Sequence, residues 1–327
     1  MKHRAQCGRN RLRWIVVAAV CVSLVVIGEF CVNETSRVPQ LGIRLERQGG
    51  DLAVAWVQPV SLTWDAGIRP GHIVIGLDGE PVVDDRGPQD LAAAQAIQVR
   101  TSEGRNLSAS VASARQIAEQ RLLSFGIIAV EWVLVGGVVF LLAADVFAAS
   151  ILLLLSVSGA AALLVAVATP FGNAWALLAE VEAYTIASAV VVLLFLVFPV
   201  NRLNTAWGRY VAWGCGTITG LLLALNGWFI LVDATGGDAF GFLHRGIVAV
   251  DFLGATILAI AASVENSPSQ REARRALGLV AMGALAGLMP FGLLSMAPQA
   301  VGLGYLVHPD IAILSVAFLP ASLGAAI

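Results

Sequence analysis

The sequence predicts an α-helical, polytopic membrane protein of about eight transmembrane helices that carries one small extracytoplasmic α+β domain. Hydrophobic residues make up 58% of the chain and charged residues only 13%, a balance outside the range of water-soluble domains. The mean hydropathy of +0.81 agrees with this assignment. Apolar runs long enough to cross a bilayer recur along most of the chain, and residues 33–121 form the one long stretch without them. The formal net charge of −2 argues against a nucleic-acid-binding role.

Residues 1–13 are predicted to form a basic cytoplasmic N-terminus, and residues 14–32 a transmembrane anchor. The first segment contains one lysine and four arginines and no acid, and the second carries a single charge, Glu29. A cleaved signal peptide shares this pattern, but no small-x-small cleavage site follows the run, which favours an uncleaved anchor. Because basic segments remain in the cytoplasm, the region after the anchor is expected on the extracytoplasmic side.

Residues 34–115 have the pattern of a small folded domain. Gly67 and Pro70-Gly71 are turn formers, and the branched residues 73–75 are typical of a strand. Asp78-Gly79 then favours a tight two-residue hairpin turn. Turn and strand signals at this density predict an α+β domain between the anchor and the membrane bundle.

The same stretch resembles the signature of PDZ domains, in which a small-Gly-apolar-x-Pro-Gly-Asp turn precedes a strand and an Asn/Asp-Gly hairpin. His72 stands where the family has Asp. The resemblance implies a groove that binds a peptide or a protein C-terminus, with a loop at 40–43 for the terminal carboxylate, a strand at 43–47 and a helix at 89–98. Within that helix, Leu91, Ala94 and Ile97 fall at helical spacing and are predicted to be core. The expected groove residues are Leu41, Gly42, Ile43, Arg44, Gln89 and Leu91.

Residues 112–123, which contain good helix formers and no Gly or Pro, are predicted to be a connecting helix that runs into a seven-helix transmembrane bundle at 122–327. The apolar segments lie at about 122–143, 147–168, 175–199, 208–232, 245–264, 276–297 and 309–327. Arginines fall in or beside two of the loops that this count places in the cytoplasm, and the loops placed outside contain no Lys or Arg. The predicted topology has both termini in the cytoplasm.

Several polar residues interrupt the apolar segments, and each is a candidate for function because ionisable groups in a membrane are costly. These residues are Glu131, Glu180, Glu182 and Asp251, with Asn226 as a polar neighbour. Two interpretations are open, and in the first these residues line an outward-facing polar cavity with His244 and Arg245 at its rim. The alternative is that the acids lie at the interface or are satisfied by neighbouring helices.

The sequence contains no pattern that indicates an enzyme. It has no His-Glu-x-x-His, phosphate-binding loop or metal-ligand cluster, and its four cysteines form no Cys-x-x-Cys pair. We therefore expect neither catalysis nor a cofactor nor a metal. The Gly136-Gly137 pair and Gly283-x-x-x-Gly287 are predicted to allow close helix packing.

Three further segments, together with the order of the predicted elements, give the chain a second resemblance that extends over nearly its whole length. They are residues 267–283 with Leu288-Met289-Pro290, the final Leu319-Pro320-Ala321-Ser322 segment, and Phe198-Pro199 before a basic loop. With the order of anchor, external domain and seven spans, they resemble the N-terminal sensor region of bacterial sensor histidine kinases of the competence-pheromone (ComP-like) type. The kinase's phosphoacceptor helix and ATP-binding boxes are not found, so truncation and a natural kinase-less protein both remain open.

The resemblance implies a signal receptor of the bacterial cytoplasmic membrane that detects an extracytoplasmic peptide or small lipophilic signal. Membrane lipids are expected to contact its spans. A homodimer is expected by analogy with the kinases. The alternative function is a membrane-anchored PDZ scaffold or adaptor that docks the C-termini of envelope proteins. A transporter ranks third, because the acids cluster toward the outer side and no inverted repeat of interrupted spans is visible.

Overall fold

The computed structural model describes residues 2–36, 41–57, 63, 66–82, 94–142, 146–169, 174–198, 201–231, 237–265, 271–301 and 306–326. The chain divides into two compact units. The helical unit comprises Met1–Ile27, Ser124–Leu163 and Val181–Ile327, and the sheet unit comprises Gly28–Leu123 and Leu164–Glu180.

The sheet unit is built on a six-stranded antiparallel sheet. Its strands are β1 (Ile43–Gln48), β2 (Asp51–Val57), β3 (Ile73–Leu77), β4 (Glu80–Pro81), β5 (Ala96–Arg100) and β6 (Asn106–Ser110). The strands lie in the order β1-β2-β3-β5-β6, and the short β4 pairs with β3. The predicted strand at 43–47 is therefore confirmed as β1, at the edge of the sheet.

The predicted Asp78-Gly79 hairpin turn joins β3 to β4. Asp78 has φ of 53° and Gly79 has φ of 86°, as a type I′ turn requires of both central residues. Asp78 Oδ1 also accepts hydrogen bonds from the backbone N–H groups of Gln95 at 2.7 Å and Ala96 at 2.8 Å. One residue thus forms the turn and holds the start of β5 beside it.

The predicted helix at 89–98 is wrong over its last residues, because Ala96–Arg100 forms strand β5. Ile97 and Val99 are fully buried, whereas Gln98 and Arg100 are exposed, which is the period-two pattern of a strand. Ala94 and Ile97 are core residues as expected, although not on a helix. The groove residues Gln89 and Leu91 lie outside the described residues.

The sheet unit has one aliphatic core that includes a residue from a distant part of the chain. Eleven of its buried members come from residues 41–109: Leu41, Leu52, Val54, Val57, Ile68, Val74, Leu77, Ala94, Ile97, Val99 and Ala109. The twelfth is Val167, which follows a membrane-length helix and is 2% exposed. The turn after that helix is therefore part of the folded sheet unit.

The remaining chain is predominantly helical. The helices are α1 (Lys2–Ser36), α2 (Val111–Leu142), α3 (Val146–Val165), α4 (Ala174–Val197), α5 (Ala206–Leu231), α6 (Gly237–Glu265), α7 (Arg271–Met289), α8 (Ala297–Ala300), α9 (Pro309–Ala312) and α10 (Phe318–Ala326). A π-helix, Pro290–Met296, joins α7 to α8, and a 3-10 helix, Ile313–Ala317, joins α9 to α10.

Seven helices among the described residues are long and apolar enough to cross a membrane, as in a polytopic membrane protein. They are Leu12–Cys31, Glu119–Leu142, Phe147–Val165, Trp175–Val197, Ala206–Trp228, His244–Ala261 and Gly278–Ala300. Seven of the eight predicted spans are thus confirmed in position. The eighth, predicted at 309–327, is divided between α9, the 3-10 helix and α10, and is not one regular helix of spanning length.

Close helix packing at the predicted glycines is confirmed within the helical unit. A Cβ placed on Gly283 would lie 1.8 Å from Ser322 Oγ, and one placed on Gly136 would lie 2.3 Å from Ser156 Oγ. Gly287 meets the backbone of Ser315, whose hydroxyl donates to the Gly287 carbonyl at 2.8 Å. Only glycine allows these helices to approach so closely.

Candidate functional site

The edge strand β1 is the first candidate site. Among the described residues, β1 pairs only with β2, which leaves its other edge available for an added strand. Arg44, Glu46 and Arg47 are exposed along it, and such charges are a common means of preventing edge-to-edge aggregation. An edge strand without a second partner is the structural requirement for binding a peptide by strand addition.

The predicted groove residues in and after the loop before β1 differ in their exposure: some are buried in the core and others face outward. The Leu41 side chain is 7% exposed and belongs to the core, and its carbonyl accepts a hydrogen bond from the buried Thr63 hydroxyl. Gly42 has φ of 65°, a left-handed conformation that suits glycine. Ile43 packs against the core, whereas Arg44 is exposed. Gly42 and Arg44 are therefore the members of this set positioned to meet a ligand.

His72, at the position where PDZ domains have Asp, stabilises the turn before β3. Its Nδ1 accepts a hydrogen bond from the Arg69 backbone N–H at 3.2 Å. The turn is fixed to β2 because the Gly71 N–H donates to the Val54 carbonyl and the Val54 N–H donates to the His72 carbonyl. Burial lowers the pKa of His72, and the nearby positive charge of Arg69 lowers it further. The ring is thus a neutral hydrogen-bond acceptor in the folded domain.

A second candidate feature is the connection between the sheet and the membrane-length helices. Helix α2 begins at Val111, directly after β6 ends at Ser110. Arg121 on α2 is 6% exposed and donates from its guanidinium to the Ala166 carbonyl at 3.1 Å. The adjacent Val167 packs in the sheet core. The turn that separates α3 from α4 is therefore bonded to α2 and buried against the sheet.

Glu180, one of the predicted cavity residues, bonds to the turn that follows α3. Its carboxylate accepts a hydrogen bond from the Thr169 hydroxyl, and Thr169 is fully buried. Both residues lie in the sheet unit, whereas Glu182, two positions later, lies in the helical unit. The predicted cavity residues Glu180 and Glu182 thus belong to different units.

The helical unit contains a polar cluster formed by Glu182 and Thr185 on α4, Asn226 on α5 and His244 on α6. Thr185 Oγ1 lies 2.7 Å from His244 Nε2 and 3.4 Å from Asn226 Nδ2, and Asn226 also bonds the Glu182 side chain. Asn226 is fully buried and His244 is 9% exposed, so the histidine predicted at the rim lies inside the bundle. Three helices therefore meet through side-chain hydrogen bonds.

Thr185 is the centre of the polar cluster, and its bonds define the roles of its partners. Its single proton is donated to the Val181 carbonyl at 2.7 Å, one turn earlier on α4. The hydroxyl oxygen is therefore an acceptor toward both His244 and Asn226. It follows that His244 carries a proton on Nε2, and that the Nδ2 group of Asn226 faces Thr185.

A separate pair, Ser188 and Asp251, lies one turn further along α4 and links it again to α6. The Ser188 hydroxyl donates to Asp251 Oδ2 at 2.9 Å. Glu131 lies on α2, and among the described residues no hydrogen bond joins it to the polar cluster. The structure therefore brings together Glu182 and Asn226 of the predicted set, with Asp251 bonded nearby, but not Glu131.

An apolar cavity of about 30 Å³ lies inside the helical unit. Trp132, Tyr184, Phe252 and Phe291 line it, and the Tyr184 and Phe291 rings are stacked with centroids 6.1 Å apart. A void of this size could hold a water molecule, but an apolar lining offers water no partners. In this conformation it is a packing gap beside the π-helix and not a ligand pocket.

Comparison with protein-family models, with curated proteins and with solved structures gives no match for this chain. Among the residues that the structure describes, no three His, Cys, Asp or Glu side chains are grouped as metal ligands. Any functional assignment therefore depends on the sites themselves.

Sequence reasoning missed Thr185 and Ser188, whose side chains form hydrogen bonds from α4 to α5 and α6. Glu182, Thr185 and Ser188 are spaced three residues apart, and residues three apart lie on neighbouring turns of one helix face. A polar face of this kind in an otherwise apolar span was a usable signal. Its partners on α5 and α6 carried no comparable pattern.

Proposed function

We propose that the chain is a membrane signal receptor in which the sheet unit takes up an extracytoplasmic signal and α2 conveys it into the membrane. The observation that carries this proposal is the absence of a linker between β6 and α2, which are consecutive at Ser110 and Val111. Helix α2 has 32 residues and is thus about 48 Å long, more than the roughly 30 Å of a bilayer core. A rearrangement of β6 would reach the spanning part of α2 directly.

The turn between α3 and α4 supports the same mechanism. Val167 is part of the sheet core and Ala166 accepts the Arg121 hydrogen bond, so the sheet unit is attached to three membrane-length helices. A ligand that favours one arrangement of the sheet would favour one arrangement of these attachments. Such a receptor has two states, and the ligand shifts the population between them.

The proposed ligand of the sheet unit is a peptide or protein tail with a free carboxylate, bound along β1. The PDZ-like assignment is supported by the edge position of β1, the left-handed Gly42 and the type I′ turn at Asp78-Gly79. Main-chain hydrogen bonds to β1 would provide affinity, and the exposed Arg44 would attract a carboxylate. The resemblance to sensor histidine kinases suggests that the signal passes to a kinase, and that the receptor acts as a homodimer.

The test uses the full chain in lipid nanodiscs and a set of peptides with free or amidated C-termini. Hydrogen–deuterium exchange is measured on β1 and on the first four turns of α2. We expect free-carboxylate peptides to protect β1 and to change exchange in α2, and amidated peptides to do neither. Absence of binding by both peptide sets would contradict the proposed ligand.

A matched pair of variants tests the coupling. Arg121→Gln removes the long guanidinium that reaches Ala166, and should leave peptide binding intact while reducing the response of α2. The control is Arg105→Gln, because Arg105 is exposed on the β5–β6 hairpin and pairs only locally with Glu103. Equal responses in both variants would show that Arg121 carries no signal.

The second candidate function, a membrane-anchored adaptor, is favoured by the same edge strand. An adaptor needs a docking surface on β1 and no transmission into the membrane. It predicts that free-carboxylate peptides protect β1 without any change in α2. The exchange experiment therefore separates the receptor from the adaptor.

A further inference from the structure

Asn226 is fully buried on α5, and its amide is only half satisfied. Its Nδ2 group faces Thr185 and Glu182, but Oδ1 accepts no hydrogen bond from any residue that the structure describes. An unpaired buried acceptor costs about 1–3 kcal/mol. The amide oxygen therefore marks a position where a hydrogen-bond donor from a ligand would be favourable.

The neighbouring side chains do not supply that donor. The Thr185 proton is donated to Val181, and the His244 Nε2 proton is donated to Thr185. Arg245 is near His244 and interacts with another group. That group is not Asn226 Oδ1, because Oδ1 has no hydrogen-bond partner in the described structure. Glu182 in its ionised form can only accept.

The hydrogen-bond acceptors that the polar cluster can offer a ligand are thus the Asn226 amide oxygen and the Glu182 carboxylate. We propose that this cluster binds the ammonium group of a small amine, with Asn226 Oδ1 and the Glu182 carboxylate as its acceptors. An ammonium group has three N–H donors and a positive charge, and so satisfies both acceptors at once. Water would donate a hydrogen bond without balancing the carboxylate charge.

A metal ion fits the cluster less well than an ammonium group. Both lone pairs of the Thr185 oxygen are directed at His244 and Asn226, which leaves three oxygen atoms from two residues. Ca²⁺ takes six to eight oxygen ligands, and Mg²⁺ requires near-octahedral geometry. Directional hydrogen bonds to a few acceptors are therefore the better match.

The burial of the two acceptors indicates how a ligand would reach them. Glu182 is half-buried, whereas Asn226 is fully buried. The carboxylate would attract the cation first, and the amide oxygen would then select a group that carries N–H donors. A quaternary ammonium ion has the charge but no such donor.

The experiment uses the full chain in nanodiscs and methylammonium chloride as the probe, with binding followed by saturation-transfer NMR. We expect the signal to be displaced by ammonium chloride and not by equal concentrations of sodium chloride or tetramethylammonium chloride. Displacement by sodium chloride to the same degree would indicate a site for any cation and overturn the proposal. Absence of a methylammonium signal would also overturn the proposal.

Variants then connect the binding to the named residues. Asn226→Leu should abolish the signal, and Glu182→Gln should weaken binding about tenfold or more, because a charge-assisted hydrogen bond contributes about 1.5–3 kcal/mol. The control is Thr219→Val, since the described bonds of the Thr219 hydroxyl are to Cys215, on its own helix. If Asn226→Leu does not fold, Glu182→Gln decides the matter. Unchanged binding in Glu182→Gln would overturn the proposal, and neither result depends on whether the sheet unit binds a peptide.

Discussion

The sheet unit and the helical unit are stabilised by different interactions. The core cluster of the sheet unit consists entirely of Leu, Val, Ile and Ala, twelve buried side chains around one sheet. Both units bury polar side chains, but Thr63, Arg121 and Thr169 of the sheet unit lie outside that cluster. In the helical unit, buried Thr185, Ser188, Asn226 and His244 form hydrogen bonds that join helices to one another. The first pattern is that of a domain that folds in water, where apolar burial is the main driving force.

The difference follows from the solvent of each unit. Lipid is as apolar as leucine, so helices in a bilayer gain little from burying leucine against each other. They associate through close packing at small residues and through hydrogen bonds between side chains. Large-to-small changes should therefore be most damaging in the sheet unit, and changes at glycine or at a buried hydroxyl should be most informative in the helical unit.

The largest expected effect is in the sheet core. Ile97→Ala removes a fully buried side chain and should lower the free energy of unfolding of the sheet unit by about 2–5 kcal/mol. Hydrogen exchange of the β5 and β6 amides in the full chain measures this loss. Ile73→Ala, on the neighbouring β3 and 39% exposed, is the matched control and should cost much less. Similar losses at both positions would show that apolar burial does not dominate here.

Next in size is the glycine contact between α7 and α10. Gly283→Ala places a methyl group 1.8 Å from Ser322 Oγ and 3.0 Å from the Phe318 carbonyl, so α10 must move. Overpacking of this kind costs about 1–3 kcal/mol. Unfolding of the chain in mixed micelles of increasing SDS content measures the change.

Two comparisons sharpen the glycine prediction. Gly278 lies on the same helix with open space around it, so Gly278→Ala should be neutral or slightly stabilising, because Ala favours a helix. Adding Ser322→Gly to Gly283→Ala removes the closest clashing atoms and should restore part of the lost stability. If the double variant recovers no stability, the clash with Ser322 is not the cause of the loss in Gly283→Ala.

A smaller effect is expected at the centre of the polar cluster. Thr185→Val keeps the shape of the side chain but leaves His244 and Asn226 without their shared acceptor, at a cost of about 1–2 kcal/mol. Thr219→Val is the matched control, because that hydroxyl bonds only within α5. The same micelle titration applies, and equal losses in the two variants would mean that the bonds between helices contribute nothing.

These contrasts also show what could be predicted from the sequence. The Asp78-Gly79 turn and strand β3 were predictable because local turn chemistry and the branched residues 73–75 determine them, whereas β1 was expected from the resemblance to PDZ domains. Seven spans followed from hydropathy and length, and close packing on α7 followed from the spacing of Gly283 and Gly287, although not the identity of the helix that packs there. Each of these features is encoded by neighbours in sequence.

The features that could not be predicted depend on contacts between distant segments. Ala94 and Ile97 fit a helical period, but the burial of Ile97 and Val99 shows that the sheet determined the outcome. Val167 gave no local signal, because its burial depends on a sheet formed from residues far from it in sequence. The bond between Thr185 and His244 likewise depends on which helices pack together, which periodicity does not specify.

The smallest effect is the pH dependence of the sheet unit through His72. Burial and Arg69 lower the pKa of His72 below its ordinary value of 6.5, so the unfolded chain binds a proton more readily than the folded one. The stability of the sheet unit should therefore be complete above about pH 6.5 and decline as the pH falls below it. His72→Asn provides a non-titrating oxygen to accept the Arg69 N–H. The exchange rate of the β3 amides in the wild type is divided by that in His72→Asn, which cancels the intrinsic effect of pH on exchange. This ratio should be constant above neutrality and should increase below it, because the wild type loses stability there. A constant ratio down to about pH 5 would mean that His72 has the same pKa in the folded and unfolded states.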